Sequence, residues 1–219
     1  MKKTIFIIIS ALLIFGCNKP TKHINIKNNT ITIHHNETVS IGAISSLPIN
    51  YTSGDNYHAT VDNDGNVTGI YVGSTKIRLE NGKDTKFINV NVIPRYNIYT
   101  EPNIRIGESE QSIISRFGEP DSTWYGFGNP YFYYMNEGSV SYILYVGFAS
   151  SKVEYYGLGA IDKNLYEQLW EFLDERYYYL TTTDGTNIFY NSINISEATT
   201  KITLGKNVIA GCNVRYQRP

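Results

Sequence analysis

This 219-residue chain has few cysteines, few histidines and no excess of basic over acidic residues. Each shortage argues against a class of function. The cysteines are Cys17 and Cys212, and the four histidines lie at positions 23, 34, 35 and 58. Nineteen lysines and arginines stand against twenty acidic residues. A nucleic-acid-binding domain usually shows a basic patch and a high isoelectric point. We therefore expect no nucleic-acid partner.

The histidines do not form a metal-binding pattern. A zinc site needs three or four converging ligands, whereas His34 and His35 are adjacent and would point to opposite faces of a strand. Residues 62–66 begin like a calcium-binding loop, but Gly73 stands where that loop needs its glutamate at position 12. We predict a hairpin turn there, and neither a metal nor a cofactor.

Motifs for catalysis are also missing. No histidine follows residue 58, and neither a nucleophile-elbow nor a phosphate-loop motif occurs. Cys212 is in period-two phase with Val208, Ala210, Val214 and Tyr216, which predicts a buried core thiol and not a nucleophile. We predict that the protein is not an enzyme, while a lysine or carboxylate enzyme without a motif stays open.

The chain does have a secretion signal at its beginning. Lys2 and Lys3 precede an apolar run over residues 5–15 that is interrupted only by Ser10. This pattern is typical of a cleaved signal peptide, and the run is shorter than the roughly 20 apolar residues that span a bilayer.

The last residues of that run, Ile14-Phe15-Gly16-Cys17, resemble the lipobox of bacterial lipoproteins. The resemblance implies that residues 1–16 are removed and that Cys17 is acylated, with residues 17–22 as a tether. The protein would then be held in the cell envelope, and we expect the outer membrane, on either face. An ordinary signal with an incidental cysteine is the alternative. Several acyl chains anchor a protein stably, and an acylated Cys17 leaves Cys212 without a disulfide partner.

From residue 23 to residue 93 the chain has short apolar alternations of period two, separated by clusters of asparagine, aspartate and glycine. Such a pattern predicts several short strands and a small β-sandwich. The alternating sets are Ile24/Ile26, Ile31/Ile33, Val39/Ile41, Val67/Gly69/Tyr71, Thr75/Ile77/Leu79 and Ile88/Val90/Val92.

Within this region, residues 59–77 resemble the signature of the group 2 bacterial immunoglobulin-like domain. The matching features are a strand ending at Val61, a turn with aspartate and Gly65, a strand, a turn at Gly73 and a further strand. The tryptophan that usually precedes this stretch is absent, and Tyr51 or Tyr57 stands near its place. The resemblance implies a stalk or adhesion-type module without chemistry of its own.

The pattern changes at Pro94, and we predict a linker over residues 94–102. A short helix is expected within residues 107–120, with Ser109 as its N-cap and Gly118 at the left-handed C-terminal position. A second, amphipathic helix is expected over residues 163–175, with its glutamates and Asp174 on the solvent face. Those acidic residues, including Glu175, are therefore not expected to form a catalytic pair.

Strands follow each predicted helix, and the two halves can be superimposed in sequence with offsets of about 60 residues. Residues 129–133 correspond to 186–190, and residues 153–156 to 213–216. This similarity suggests an internal duplication of 103–160 and 161–219. We predict a multidomain protein: the sandwich, then an α+β domain at 103–219 whose helices pack on one face of an antiparallel sheet.

The segment 107–120 also resembles a motif of small outer-membrane assembly lipoproteins and of the β-lactamase-inhibitor-protein-like fold. That resemblance implies a protein-binding module, with helices on one sheet face and the other face presented to a partner.

Tyrosine is abundant where chemistry-bearing residues are scarce, since 15 of the 19 tyrosines lie between Tyr99 and Tyr216. Adjacent tyrosines on a strand face opposite sides, so each pair should place one ring inward and one outward. Exposed rings are effective anchors for partners, although strand propensity alone could explain the tyrosines. Our candidates for contact with a partner are Tyr125, Tyr131, Tyr133 and Tyr145.

Three functions are compatible with these patterns. The first is a lipid-anchored envelope protein that binds protein or glycan. The second is an assembly or structural lipoprotein that docks on an outer-membrane complex, and the third is an inhibitor of a secreted enzyme.

Overall fold

A computed structural model describes residues 22–126, 128–137, 140–207 and 211–219. The signal segment and Cys17 lie outside the described residues, as do Val208 and Ala210. The described chain is mostly β-strand and forms more than one sheet, so the β-rich architecture expected from the sequence is confirmed.

Seven short strands form the first part of the chain and pair into two sheets. The four-stranded sheet has the order β1-β7-β6-β3, with β1 parallel to β7, and the three-stranded sheet has the order β2-β5-β4. The strands are β1 (Thr30–His34), β2 (Thr38–Ser40), β3 (Asn50–Ser53), β4 (Ala59–Val61), β5 (Asn66–Gly69), β6 (Gly73–Glu80) and β7 (Thr85–Ile93).

Period-two alternation builds the core of this part. Ile77 and Leu79 of β6 are fully buried, and so are Ile88 and Val90 of β7. Burial of such a side chain stabilises the fold by roughly 1.5–3 kcal/mol. The predicted pair Ile24/Ile26 does not form a strand, and only an isolated bridge joins Asn25 to Ile44 there.

The predicted turn at residues 62–66 is present and joins β4 to β5. The Asp62 carboxylate accepts hydrogen bonds from the amides of Asp64 (2.9 Å) and Asn66 (2.8 Å), and Gly65 has φ +77°. The hydrogen bonds from Asn66 lower the pKa of Asp62. The carboxylate thus closes the turn itself, as aspartates commonly do.

The second part of the chain contains two helices, each followed by four strands. Its elements are α1 (Glu110–Phe117), β8 (Ser122–Gly126), β9 (Asn129–Glu137), β10 (Ser141–Ala149), β11 (Lys152–Ile161), α2 (Tyr166–Asp174), β12 (Tyr178–Thr183), β13 (Thr186–Tyr190), β14 (Lys201–Asn207) and β15 (Gly211–Gln217). Short 3-10 turns occur at Lys163–Leu165 and Ile195–Glu197.

The limits of α1 are those expected from its caps. The Ser109 hydroxyl accepts from the Ser112 amide, and the amide of Gly118, which has φ +84°, donates to the Ile114 carbonyl. Glycine tolerates that positive φ where other residues are strained, so the helix ends there.

The eight strands of this part form one antiparallel sheet with the order β12-β13-β14-β15-β11-β10-β9-β8. The central pair is β11 and β15, with Tyr156 opposite Tyr216 and Leu158 opposite Val214. The strands that follow α1 (β8–β11) and those that follow α2 (β12–β15) therefore join through the last strand of each set. The Tyr156 and Tyr216 rings stack with centroids 4.8 Å apart.

One face of this sheet packs under the helices. The buried strand residues form one cluster with Ile113 of α1 and with Leu169, Phe172 and Leu173 of α2. These strand residues are Phe132, Tyr134, Leu144, Val146, Phe148, Val153, Tyr156, Leu158, Ile161, Phe189, Ile202, Leu204, Cys212, Val214 and Tyr216. Cys212 is fully buried, as its phase with Val214 and Tyr216 predicted.

The stretch that joins the two parts is held to this core by polar contacts. Tyr99 is buried, and its hydroxyl lies 2.7 Å from that of Tyr216. The Glu101 carboxylate accepts hydrogen bonds from Tyr216 (2.8 Å) and Tyr177 (2.6 Å). Burial raises the pKa of Tyr99, Tyr177 and Tyr216 well above the ordinary value, so the hydroxyls stay protonated as donors.

The structure corrects the expectation for Glu175. Its carboxylate is 3% exposed instead of lying on the solvent face, and it accepts from the amides of Arg95 (2.9 Å) and Tyr96 (3.1 Å). Arg176 Nη1 lies 2.5 Å from Glu175 Oε1, and the guanidinium covers the Phe172 ring. Helical periodicity could not show this, because the amides come from residues 80 and 79 positions earlier in the chain.

A second set of contacts joins the two parts directly. The Val72 amide donates to the Glu175 carbonyl (2.8 Å), and the Tyr57 hydroxyl donates to the Arg176 carbonyl (3.0 Å). His35 Nε2 lies 3.6 Å from Asp174 Oδ2, and Asp174 is the largest cause of a raised His35 pKa.

We expect Glu175→Gln to lower the free energy of unfolding by about 3 kcal/mol, because it leaves the Arg176 charge largely buried without its partner. Chemical denaturation followed by circular dichroism measures this change. The matched control is Glu171→Gln, an exposed glutamate one turn earlier on the same helix, which should change stability by no more than about 0.5 kcal/mol. Equal effects of the two substitutions would contradict the role given to Glu175.

The His35–Asp174 pair should stabilise the fold in acid and not in base. Because the folded-state pKa of His35 is raised, its contribution is present below the ordinary value of 6.5 and is lost as the pH rises through the folded pKa. A double-mutant cycle of His35→Gln and Asp174→Asn should give a coupling energy of up to about 1 kcal/mol near pH 6. The coupling should disappear near pH 9, and a coupling independent of pH would refute the ion pair.

Candidate binding face

The sheet face that points away from the helices, here called the outer face, is rich in aromatic side chains. Strand register places these residues in cross-strand rows, and the first row crosses all eight strands. From β8 to β12 that row contains Trp124, Tyr131, Gly147, Tyr155, Gln217, Lys201, Tyr190 and Tyr178.

A second row lies beside the first, displaced by two residues along each strand except β12, where a register shift makes the displacement three. It contains Ser122, Tyr133, Tyr145, Gly157, Arg215, Thr203, Ile188 and Thr181. Since cross-strand neighbours on one face touch one another, the two rows together form a continuous surface.

Four aromatic rings of the outer face contact one another in sequence: Trp124, Tyr131, Tyr155 and Tyr145. This set is here called the aromatic row. Trp124 lies 5.0 Å from Tyr131, Tyr131 lies 6.2 Å from Tyr155, and Tyr155 lies 6.3 Å from Tyr145, measured between ring centroids. Such separations are typical of interacting aromatic pairs. The rings therefore support one another, although Trp124 remains 55% exposed.

Glycines in the two rows allow the tyrosines to lean over the sheet. A Cβ atom at Gly147 would stand 2.4 Å from the Tyr155 ring, and one at Gly157 would stand 2.4 Å from the Tyr145 hydroxyl. No larger residue fits under the rings as they lie, and aromatic side chains that cover a strand glycine are a known device of β-sheets. The result is a shallow surface of inclined rings.

Arg215 lies at the centre of this surface and is held there by Tyr155. Its guanidinium carbon is 3.7 Å from the Tyr155 ring centroid, a close cation–π contact. Its Nε atom is buried without a hydrogen-bond partner. Beside it is an open pocket of about 260 Å³ lined by Glu154, Tyr155, Arg215, Gln217 and Arg218.

The hydroxyls of Tyr145 and Tyr155 stay protonated at neutral pH. Burial raises the pKa of Tyr145 to about 12, and its hydroxyl donates to Asn213 Oδ1 at 2.7 Å. Burial also raises the pKa of Tyr155, with a further contribution from the hydrogen bond to Tyr131. The face therefore presents aromatic rings, tyrosine hydroxyls and a guanidinium side by side.

Three of the four tyrosines proposed from the sequence lie together on the outer face. Tyr133 is directly opposite Tyr145, and Tyr131 belongs to the aromatic row; all three are half-buried. Tyr125 has the opposite phase on edge strand β8 and is 71% exposed, so the structure does not group it with them.

Sequence reasoning missed Trp124, Tyr155 and Arg215. Tyr155 was within reach of the alternation argument, because Tyr156 is buried and its neighbour Tyr155 must then face outward. Trp124 was not, because Tyr125 beside it is exposed as well. Arg215 had no local signal, since its position over Tyr155 depends on the pairing of β11 with β15.

Other chemistry has little support from the described residues. Within them, no three side chains of histidine, cysteine, aspartate or glutamate come together as metal ligands, and no helix has the length and apolar character needed to cross a membrane. The thiol of Cys212 is fully buried, and burial raises its pKa, which disfavours the reactive thiolate.

Comparison with known proteins adds no family. No family model matches the chain, and no curated protein matches it. A solved structure, that of an extracellular protein containing a SCP domain from Bacillus anthracis, matches with 13% identity and a TM-score of 0.31. The match covers 58% of this chain and 50% of that one, so it spans about half the length of the relative.

Cys212 should resist thiol reagents in the folded protein. In a Cys17→Ser variant, we expect no alkylation by iodoacetamide at mildly alkaline pH, because the thiol is buried and its pKa is raised. The same reagent should modify Cys212 rapidly after denaturation, and mass spectrometry detects the added group. Rapid alkylation of the native chain would show that the thiol is accessible.

Proposed function

We propose that this protein is a lipid-anchored, non-enzymatic component of the bacterial cell envelope that binds a protein or a glycan through its outer face. The anchor is the acylated Cys17 of the lipobox resemblance, in the outer membrane. The observation that carries the binding function is the outer face itself: inclined aromatic rings in mutual contact, with an arginine that makes no hydrogen bond through its Nε atom.

The proposal assigns different tasks to the two parts of the chain. Residues 23–93 would be an immunoglobulin-like stalk, and residues 103–219 an α+β module that carries the binding face. Two separate clusters of buried residues support this division, one within each range except for Tyr99. The contacts of Glu175 and His35 would restrict movement between stalk and module.

A duplication is also part of this proposal. Each helix precedes four strands that pair in sequence, and the two sets meet at β11 and β15. Equivalent residues such as Tyr156 and Tyr216 lie opposite one another at that junction, as a sheet made of two copies would require. The duplicated architecture gives the module twice the width of a four-stranded sheet, and hence a broad face.

The second candidate is an assembly or structural lipoprotein that docks on an outer-membrane complex. The capped helix α1, whose sequence resembles the motif of such lipoproteins, favours it. Both candidates use a binding face, but they predict different partners and sides of the membrane. Inhibition of a secreted enzyme would be a special case of protein binding.

Protease shaving of intact cells should distinguish the candidates. We expect the module to be digested in unbroken cells if it binds outside, and only after permeabilisation if it serves assembly in the periplasm. A Cys17→Ser variant should lose incorporation of labelled fatty acid and leave the membrane fraction. Retention of the lipid label by that variant would refute the anchor.

Photo-crosslinking tests the binding face itself. A photoreactive residue at Trp124, which is exposed on the outer face, should capture an envelope component, whereas one at Phe87, exposed on β7 of the stalk, should not. Mass spectrometry of the adduct would identify the partner. If neither position captures a component of the native envelope, the proposed function fails.

A further inference from the structure

The outer face contains an arginine, Arg215, that is stacked on a tyrosine and whose Nε donor has no partner. Tyr155 holds the guanidinium of Arg215 by stacking, and Nε of Arg215 is buried without a partner. A buried donor without an acceptor destabilises the folded state. Arg215 also lines an open pocket, where a ligand would meet its guanidinium.

The surroundings of Arg215 define the charge of such a ligand. The adjoining pocket brings together Arg215 and Arg218 with one carboxylate, that of Glu154. These side chains leave one net positive charge, which complements a single carboxylate better than a doubly charged phosphate. A guanidinium also matches a carboxylate geometrically, because two parallel N–H groups can donate to its two oxygens.

The shape of the neighbouring surface indicates what carries the carboxylate. Protein partners obtain most of their binding energy from side chains that fill well-packed, desolvated pockets. The outer face instead offers a shallow series of ring faces, which lie low because Gly147 and Gly157 make room for the ring tips. Flat aromatic ring faces suit the flat faces of sugar rings.

We propose that the outer face binds an acidic glycan, with Arg215 receiving the carboxylate of a uronic-acid-type sugar and the aromatic row receiving the neighbouring sugar rings. This inference rests on the proposed function, since it identifies the ligand of the same face. Tyr155 is a positioning residue for Arg215, and the pocket with Arg218 and Gln217 completes the carboxylate subsite.

Isothermal titration of the full chain with a defined pair of oligosaccharides tests the proposal. The probes are a mannuronic-acid oligomer and a mannose oligomer of equal length and linkage, which differ in the carboxylate. We expect the acidic oligomer to bind and Arg215→Gln to weaken that binding by about tenfold or more, the typical effect of a lost charge-assisted hydrogen bond. Arg215→Lys should give an intermediate loss, because it keeps the charge without the paired donors.

Two further variants separate the site from general charge and from misfolding. Arg78→Gln removes an arginine of the stalk, on β6, and should leave the affinity unchanged. Gly147→Ala should displace the Tyr155 ring and weaken binding while Arg215 remains, because the added Cβ meets the far end of that ring. Circular dichroism should show native structure in every variant used.

The outcomes distinguish the inference from the function on which it rests. Equal binding of both oligomers, or no effect of Arg215→Gln, would overturn the carboxylate subsite. Failure of the acidic oligomer to bind, with a protein crosslinked to Trp124 in the native envelope, would overturn the glycan assignment and leave the binding function in place. Absence of any crosslinked component would remove the function itself.

Discussion

The antiparallel pairing of β11 with β15 is the interaction on which the second part of this protein depends. Without it, two four-stranded sheets would each have an additional open edge, and each would bury its apolar face over one helix alone. With it, Leu158 meets Val214 and the Tyr156 ring stacks on Tyr216, so that one core extends beneath strands of both four-stranded sets. The same pairing makes the opposite face continuous.

Strand alternation then gives the two faces different tasks. Tyr156 faces the core, and its neighbour Tyr155 faces outward, where it leans over Gly147 and supports Arg215. A single sequence pattern thus supplies both the stability of the sheet and its surface chemistry. Because Gly147 and Gly157 have no side chain, the rings of Tyr155 and Tyr145 lie close to the sheet, where a larger residue would displace them.

Local patterns accounted for much of the fold. The caps at Ser109 and Gly118 delimit α1, and the alternation around Ile77, Ile88 and Cys212 identified buried strand faces, because these signals act over a few residues. Glu175 was wrongly predicted to face solvent, because the contacts that bury it come from residues outside its own helix. Its helical position is polar, but the amides of Arg95 and Tyr96 and the guanidinium of Arg176 surround it in three dimensions.

The sequence alone determined the strand-rich composition, the phase of the buried thiol at Cys212 and the presence of outward-facing tyrosines. Tertiary structure decided which of these tyrosines share a surface: Tyr131, Tyr133 and Tyr145 lie together, while Tyr125 falls out of phase on an edge strand. It also decided that Arg215 stacks on Tyr155, some 60 residues earlier. The physical reason is the distance over which each signal acts. Periodicity and caps act between near neighbours in the chain, whereas the composition of the outer face depends on which strands pair and in which register.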